Sequence, residues 1–280
     1  HLTMSGELRL AIERDELKLA FQPQIDLATR RVTGLEALMR WTHADMGPIP
    51  PDEFVTQAER TGLIQGLTFW SIEAGLSQLA RIREADPSLD VAINLSARML
   101  HDQTLFNYIE YQLKRFSLPA SSVTLEITES ALMANPDVAM SLLEQMSSIG
   151  LQFSIDDFGT GYSSLAYLKR LSVHELKIDK SFVLNMIEDT ADAAIVRSTV
   201  DLAHHLGLRV VAEGIETERH IDMLAELNCD IGQGFHIARP MTADDVIVWL
   251  ETKAKEAKPA KRSGKTPSLI TAQPASQLPN

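Results

Sequence analysis

Eight residues able to bind metal or move protons fall at or near the ends of short apolar runs: Glu36, Asn94, Glu126, Asp156, Asp157, Lys177, Glu213 and Gln233. Five of them are carboxylates. If they converge, so many like charges cannot all stay ionised, because each raises its neighbours' pKa. Either several are protonated or cations sit among them. Oxygen donors without a thiolate or a paired imidazole favour Mg2+ or Mn2+ over zinc. The adjacent pair Asp156-Asp157 suits two metals, one carboxylate bridging while the next reaches the second ion.

Strand parity supplies the convergence. In Val123-Thr124-Leu125-Glu126-Ile127 one face is apolar and the other carries Thr124 and Glu126. Leu151 to Asp156 splits the same way, with Gln152, Ser154 and Asp156 opposite Leu151, Phe153 and Ile155. Asn94 stands opposite Val91, Ile93 and Leu95 in the pleat, and Lys177 with Asp179 opposite Leu176 and Ile178. Strands are expected at Lys18 to Asp26, Val32 to Trp41, Asp90 to Ser96, Val123 to Thr128, Leu151 to Asp156, His174 to Lys180, Leu208 to Gly214 and Asp230 to Ile237. Amphipathic helices are expected at Gln65 to Ala85, Asp102 to Phe116, Asp137 to Ile149, Ala191 to Leu206, Thr217 to Leu227 and Thr242 to Leu250. This alternation is the arithmetic of an α/β (β/α)8 barrel, with the first two strands too close for a helix and read as a hairpin. The apolar parity then packs on the helices. The polar parity points into the barrel, at the C-terminal mouth where barrel sites lie.

Other signals carry less. Asp157-Phe158-Gly159 matches a kinase tripeptide, but no glycine-rich loop, Val-Ala-Ile-Lys or His-Arg-Asp precedes it. Gly159-Thr160-Gly161 is too short for a dinucleotide fingerprint. His204-His205 suits a helix C-terminus, and the single cysteine, Cys229, suits packing. The 280 residues are 45% hydrophobic and 23% charged, which excludes disordered and collagen-like chains. No apolar run is long enough to span a membrane and no signal peptide opens the chain, so a reducing cytosol is the expected compartment. Residues 251–280 hold six basic and two acidic groups, giving +4 there and −16 for the rest of a chain of net charge −12. So acidic a body argues against duplex nucleic acid, though not against a small phosphate ligand held through metals. A linker helix is expected over residues 1–16, with helical pattern from Glu7 to Leu19, then a barrel over 17–250 and a disordered basic tail over 251–280.

Residues 33–41, Thr-Gly-Leu-Glu-Ala-Leu-Met-Arg-Trp, resemble the signature of EAL-domain cyclic di-GMP phosphodiesterases. Further blocks follow the family order: Phe21-Gln22-Pro23, Asn94-Leu95-Ser96, Glu126-Ile127-Thr128-Glu129-Ser130, Asp156 to Ser164, Lys177-Ile178-Asp179, Glu213-Gly214-Ile215-Glu216 and Gln233-Gly234-Phe235. The resemblance implies a modified TIM barrel with an antiparallel first strand. It implies one metal on Glu36, Asn94, Glu126 and Asp156, and a second among Asp156, Asp157 and Glu213. Lys177 would hold the attacking water, with Glu213 as alternative or additional general base. Gln22 and Arg40 would contact the dinucleotide, and Gln233 would support the metal–water network beside it. Glu129 would brace the loop carrying Phe158, Gly159, Thr160, Gly161, Tyr162 and Ser163, which in the family adjoins a dimer contact. The implied reaction opens cyclic di-GMP to linear pGpG with two Mg2+ or Mn2+ ions and is inhibited by Ca2+. The implied setting is a cytoplasmic homodimeric domain, with a sensory or GGDEF domain upstream in a full-length chain that can be membrane-anchored. The alternative is a receptor that binds cyclic di-GMP without hydrolysing it. The complete ligand set favours the enzyme. Phe21, Ala44, Ile231 and His236 depart from the common family pattern and leave that set intact.

Overall fold

The computed structural model describes residues 4–14, 16–160 and 165–256. Helix α1 (Met4–Glu13) precedes a hairpin of β1 (Leu17–Asp26) and β2 (Val32–His43), and β3 (Gly47–Ile49) pairs with the far end of β2. Helices α2 (Pro51–Thr61) and α3 (Ile64–Ala85) lead to β4 (Asp90–Asn94), and α4 (Thr104–Phe116) leads to β5 (Val123–Thr128). Next come α5 (Glu129–Ala134), α6 (Pro136–Ser147), β6 (Gln152–Phe158), α7 (Leu165–Leu168) and β7 (Glu175–Ile178). The order then runs α8 (Lys180–Asn185), α9 (Thr190–His205), β8 (Arg209–Ala212), α10 (Glu218–Glu226), β9 (Ile231–Gln233) and α11 (Ala243–Glu256).

The sheet runs β1-β9-β8-β7-β6-β5-β4-β2-β3, and pairing of β1 with β2 closes eight of these strands into a barrel. Strand β1 is antiparallel to both neighbours, while β2 and β4 to β9 are mutually parallel. The expected modified (β/α)8 barrel is therefore the fold. A two-strand hairpin demands antiparallel pairing, whereas parallel neighbours need a crossover, which the helices provide. The hairpin turn is made by Asp26, whose Oδ1 accepts from Thr29 N at 2.6 Å, and by Arg30 at φ 61°. Outside the ring, Val91, Ile93, Leu125, Ile127, Phe153, Ile155, Leu176 and Val210 meet helix residues such as Leu76, Leu79, Ile109, Leu143 and Val200 in one apolar core. Each such side chain contributes about 1.5–3 kcal/mol by leaving water.

Three expectations change. The helical pattern from Glu7 to Leu19 stops at Glu13, because Leu17 and Leu19 pair with Trp41 and Met39 in the hairpin. Leu8 and Ala11 of α1 are fully buried in the core, so this segment is docked on the barrel and is no free linker. At the other end α11 continues to Glu256, six residues into the expected tail; residues 257–280 lie outside the described residues. Helix α2 was hidden by Pro50-Pro51, which reads as a breaker. Pro51 instead occupies the first helical turn, where a missing N–H costs nothing, and Gly62 closes the helix at φ 78°.

The loops after β8 and β9 lock together through Gly234. Ile215 N donates to Gln233 O and His236 N to Ile215 O, both at 3.0 Å. A Cβ on Gly234 would lie 2.2 Å from both Ile215 N and Ile215 O. Gly234→Ala is expected to destabilise the fold by about 3 kcal/mol or more, since backbone cannot rotate aside. Denaturant unfolding measures this, and a loss under about 1 kcal/mol would show that the loops can part.

Candidate functional site

The inward parity of the strands meets at the barrel mouth around one ammonium. Lys177, third residue of β7 and 1% exposed, lies 2.7 Å from Glu213 Oε1, 3.0 Å from Glu126 Oε1, 3.4 Å from Asp156 Oδ1 and 3.5 Å from Glu36 Oε1. These charge pairs meet the distances of hydrogen bonds without their angles, and both Glu126 oxygens are buried without a donor. Burial would lower the Lys177 pKa, but Glu126, Glu36, Glu213 and Asp156 outweigh it and hold the ammonium well above its ordinary value. Glu126 moves the other way from a normal carboxylate: burial, then Glu36, raises it well above the usual range. One ammonium cannot balance the surrounding carboxylates, and this imbalance favours the neutral form of Glu126. Glu213 is pushed up to about 7, by burial first, with Lys177 opposing and Glu36 and Asp156 adding.

Glu36 sits mid-strand in β2 rather than at its end, because β2 runs on beyond the barrel to pair with β3. A buried amide chain holds it. Gln233 Nε2 donates to Glu36 Oε2 at 2.5 Å and to Gln22 Oε1 at 3.1 Å. Asn94 Nδ2 donates to Glu36 Oε1 at 3.0 Å. Gln24 donates to Gln233 Oε1 at 2.8 Å, and Gln22 to Ala238 O at 3.2 Å. Against the desolvation that would raise it, Lys177 and these donors keep the Glu36 pKa low. Gln24 was not singled out in sequence. Its parity places it with Gln22 on the inward face of β1, the signal that could have found it.

Strict alternation would send Asp156 and Asp157 to opposite faces, yet both line the mouth. The register between β6 and β7 shifts between Ile155 and Phe158, and Asp157 adopts φ 53°. This left-handed bulge re-aims the second carboxylate at a cost of about 1 kcal/mol for a non-glycine residue. Asp156 Oδ1 accepts from Asp157 N at 2.9 Å, and burial, Asp156 and Asp179 raise the Asp157 pKa. Glu129, buried at the start of α5, accepts from Gly159 N through Oε2 at 3.0 Å, and Thr160 Oγ1 donates to Asp157 O at 2.8 Å. Phe158 is a core residue paired with Ile178, while Gly159 and Thr160 are exposed. Gly161, Tyr162 and Ser163 lie outside the described residues. Asp179, expected inside, instead caps α8 by accepting from Ser181 N at 3.0 Å.

Above the cluster opens a cavity of about 890 Å³, reached by Glu36, Asn94, Asp156, Asp157, Glu213 and Gln233 and walled by Gln22 and Arg40. Arg40 Nη1 donates to Met39 O at 2.8 Å; burial lowers its pKa, with Glu36 opposing. The oxygens that could hold a divalent cation are those of Glu36, Asn94, Glu126, Asp156, Asp157 and Glu213. Among the described residues no three carboxylate, imidazole or thiolate groups form a ready cage, since the Lys177 ammonium stands between them. The donor set nevertheless fits a hard cation: it is all oxygen, and Glu126 keeps two buried oxygens without a donor. Cys229 takes no part; it is buried in the core, its thiol pushed up to about 12 by burial. His204 Nε2 meets Asp230 Oδ2 at 2.9 Å on the outside.

Fold and site together define a modified TIM barrel with a lysine-centred ring of carboxylates at its C-terminal mouth. The chain belongs to the EAL domain family, whose model matches residues 5–240. The bifunctional diguanylate cyclase/cyclic di-GMP phosphodiesterase MucR of Pseudomonas aeruginosa is 41% identical over 88% of this chain and 36% of its own length. The cyclic di-GMP phosphodiesterase PdeR of Escherichia coli is 37% identical over 92% of this chain and 39% of its own. The chain thus spans little over a third of these relatives. The solved structure of the PaMucR phosphodiesterase in complex with c-di-GMP superposes with a TM-score of 0.83 at 41% identity, covering 88% of this chain and all of that one. Among the described residues no helix is long and apolar enough to cross a membrane.

Removing the Glu129 carboxylate should free the bulge. In Glu129→Ala the Gly159 amide loses its buried acceptor, a loss of about 1–3 kcal/mol locally. Its hydrogen exchange is expected to quicken at least about tenfold with the global unfolding transition little moved. Unchanged exchange at Gly159 would show that the bulge holds itself.

Proposed function

We propose that this domain hydrolyses one phosphodiester of cyclic di-GMP to linear pGpG, with Mg2+ or Mn2+ held by Glu36, Asn94, Glu126, Asp156, Asp157 and Glu213. The observation that carries the reading is the convergence of four carboxylates on the buried Lys177 beneath an open cavity. The names and likeness of MucR and PdeR support the same substrate. Bound divalent cations would compensate charge on the phosphoryl oxygens and make water acidic enough to attack at neutral pH. Arg40 meets the anionic substrate at the cavity wall. Lys177 remains an ammonium, so it donates a hydrogen bond to the attacking water and does not accept its proton. Glu213, 2.7 Å from Lys177 at the same mouth, takes the proton. As water attacks phosphorus, the P–O bond to the departing ribose oxygen breaks. That oxygen takes up a proton, and the phosphate stays on the 5′ side of linear pGpG. A homodimer contact beside the Asp157 to Ser164 loop, and a sensory or cyclase domain in the full-length protein, complete the proposal. MucR, named as bifunctional, is a relative with such a second activity.

Two outcomes follow from the chemistry. Chelation should abolish turnover, and Mg2+ or Mn2+ should restore it. Ca2+, with longer and looser coordination, should support substrate binding but little hydrolysis. Nucleotide chromatography reads both results, and turnover surviving exhaustive chelation would sink the metal-dependent account. Glu213→Gln should cut kcat about a hundredfold or more, while cyclic di-GMP binding measured in Ca2+ changes far less. A parent protein that binds the dinucleotide in every metal and never converts it would establish the receptor instead.

A further inference from the structure

Behind the mouth, Gln24, Gln233, Gln22 and Glu36 form one buried hydrogen-bonded chain, none of them more than 7% exposed. Its bonds run in one direction. Glu36 is a carboxylate and can only accept, so Gln233 meets it with the amide nitrogen, whose second hydrogen goes to Gln22 Oε1. Gln22 is itself fixed, because its nitrogen donates to Ala238 O, which can only accept. The carbonyl oxygen of Gln233 therefore points away from Glu36, where Gln24 Nε2 donates to it at 2.8 Å. Strand register seats this donor: Gln24 pairs with Gln233 on β9 and with Gly34 on β2. A Cβ on Gly34 would stand 3.2 Å from Gln24 Oε1, so glycine there leaves the amide its room.

The two ends of a glutamine amide match in shape and oppose in hydrogen-bond sense. Turned over, Gln233 would carry its carbonyl oxygen to the place beside Glu36 Oε2 that its nitrogen now holds. Free of a cation, the two acceptors would repel. With a divalent cation on Glu36, that oxygen would become one more ligand. An added carbonyl suits Ca2+, which takes about six to eight oxygens in loose geometry, better than Mg2+, which demands a near-ideal octahedron. In the turned arrangement the nitrogen of Gln24 would face the nitrogen of Gln233, so the bond that closes the chain opposes the turn. Resting on the proposed cation site and deepening it, we propose that Gln24 is a positioning residue that keeps the Gln233 carbonyl out of the cation's reach and thereby favours Mg2+ and Mn2+ over Ca2+.

The test titrates the substrate-free domain with Mn2+, read as loss of the free-ion paramagnetic resonance, and with Ca2+ in competition. Gln24→Met keeps the length and removes the donor, while Gln24→Glu keeps the shape and offers an acceptor to the turned amide. The ratio of the two dissociation constants should move toward Ca2+ about threefold or more in Gln24→Met and about tenfold or more in Gln24→Glu. A residue that merely packs would weaken both ions together and leave the ratio alone. In a Gln233→Met background, which has no amide to turn, neither change should move the ratio. Side-chain amide exchange in the parent needs no variant to fold: the Gln24 Nε2 hydrogens should exchange at least about tenfold more slowly than those of an exposed glutamine. An unchanged ratio in a folded Gln24 variant, a shift that persists in the Gln233→Met background, or fast exchange at Gln24 in the parent would overturn the proposal. A parent that binds neither Mn2+ nor Ca2+ would overturn the cation site and this proposal with it.

Discussion

Charge balance in the barrel interior governs this molecule. A buried ammonium is costly alone and so is a buried carboxylate, but Lys177 and the carboxylates of Glu36, Glu126, Asp156 and Glu213 satisfy one another only in part. The surplus is negative. It forces Glu126 toward its neutral form and lifts Glu213 to about 7. The barrel supplies the rigid strands that keep these groups from relaxing apart, and the amide chain from Gln24 through Gln233 fixes Glu36 from behind. Stability given up inside the mouth is recovered in the apolar shell between strands and helices.

The same logic explains why the irregular backbone lies where it does. A regular strand presents one side chain in two to the cavity, which is too sparse for adjacent carboxylates. The bulge at Asp157 breaks the period, and Glu129 secures the resulting turn from the neighbouring strand–helix junction. Local strain and a part-buried hydrogen bond are thereby coupled. The acidic group at the barrel mouth is held by a residue that stands outside the lysine-centred cluster.

Much of this was legible in sequence because period-two polarity is a direct record of which way a strand faces. Glu126, Lys177 and Asn94 declared the interior, and the short gap between Asp26 and Val32 declared the antiparallel hairpin. Backbone departures were not legible in the same way. Parity alone separates Asp156 from Asp157, and only a left-handed residue reunites them. The expected strand from Val32 to Trp41 already put Glu36 near its middle; what nothing local reveals is the pairing of its far end with β3. Asp179 follows Lys177 in phase, but the chain has already begun to cap α8, so its carboxylate answers a helix terminus.

The reversed first strand has a further consequence, for synthesis. Strand β1 leaves the ribosome ahead of the other strands of the barrel, yet one of its two edges pairs with β9, so that Gln24 meets a partner 209 positions later. Until that partner emerges, the hairpin exposes an unpaired edge and the growing sheet remains open. Contacts of such span make closure a late and slow event. An exposed edge is also a template for pairing with another nascent chain. Production of this barrel therefore turns on how long the hairpin must wait, a kinetic hazard created by the strand that completes the ring.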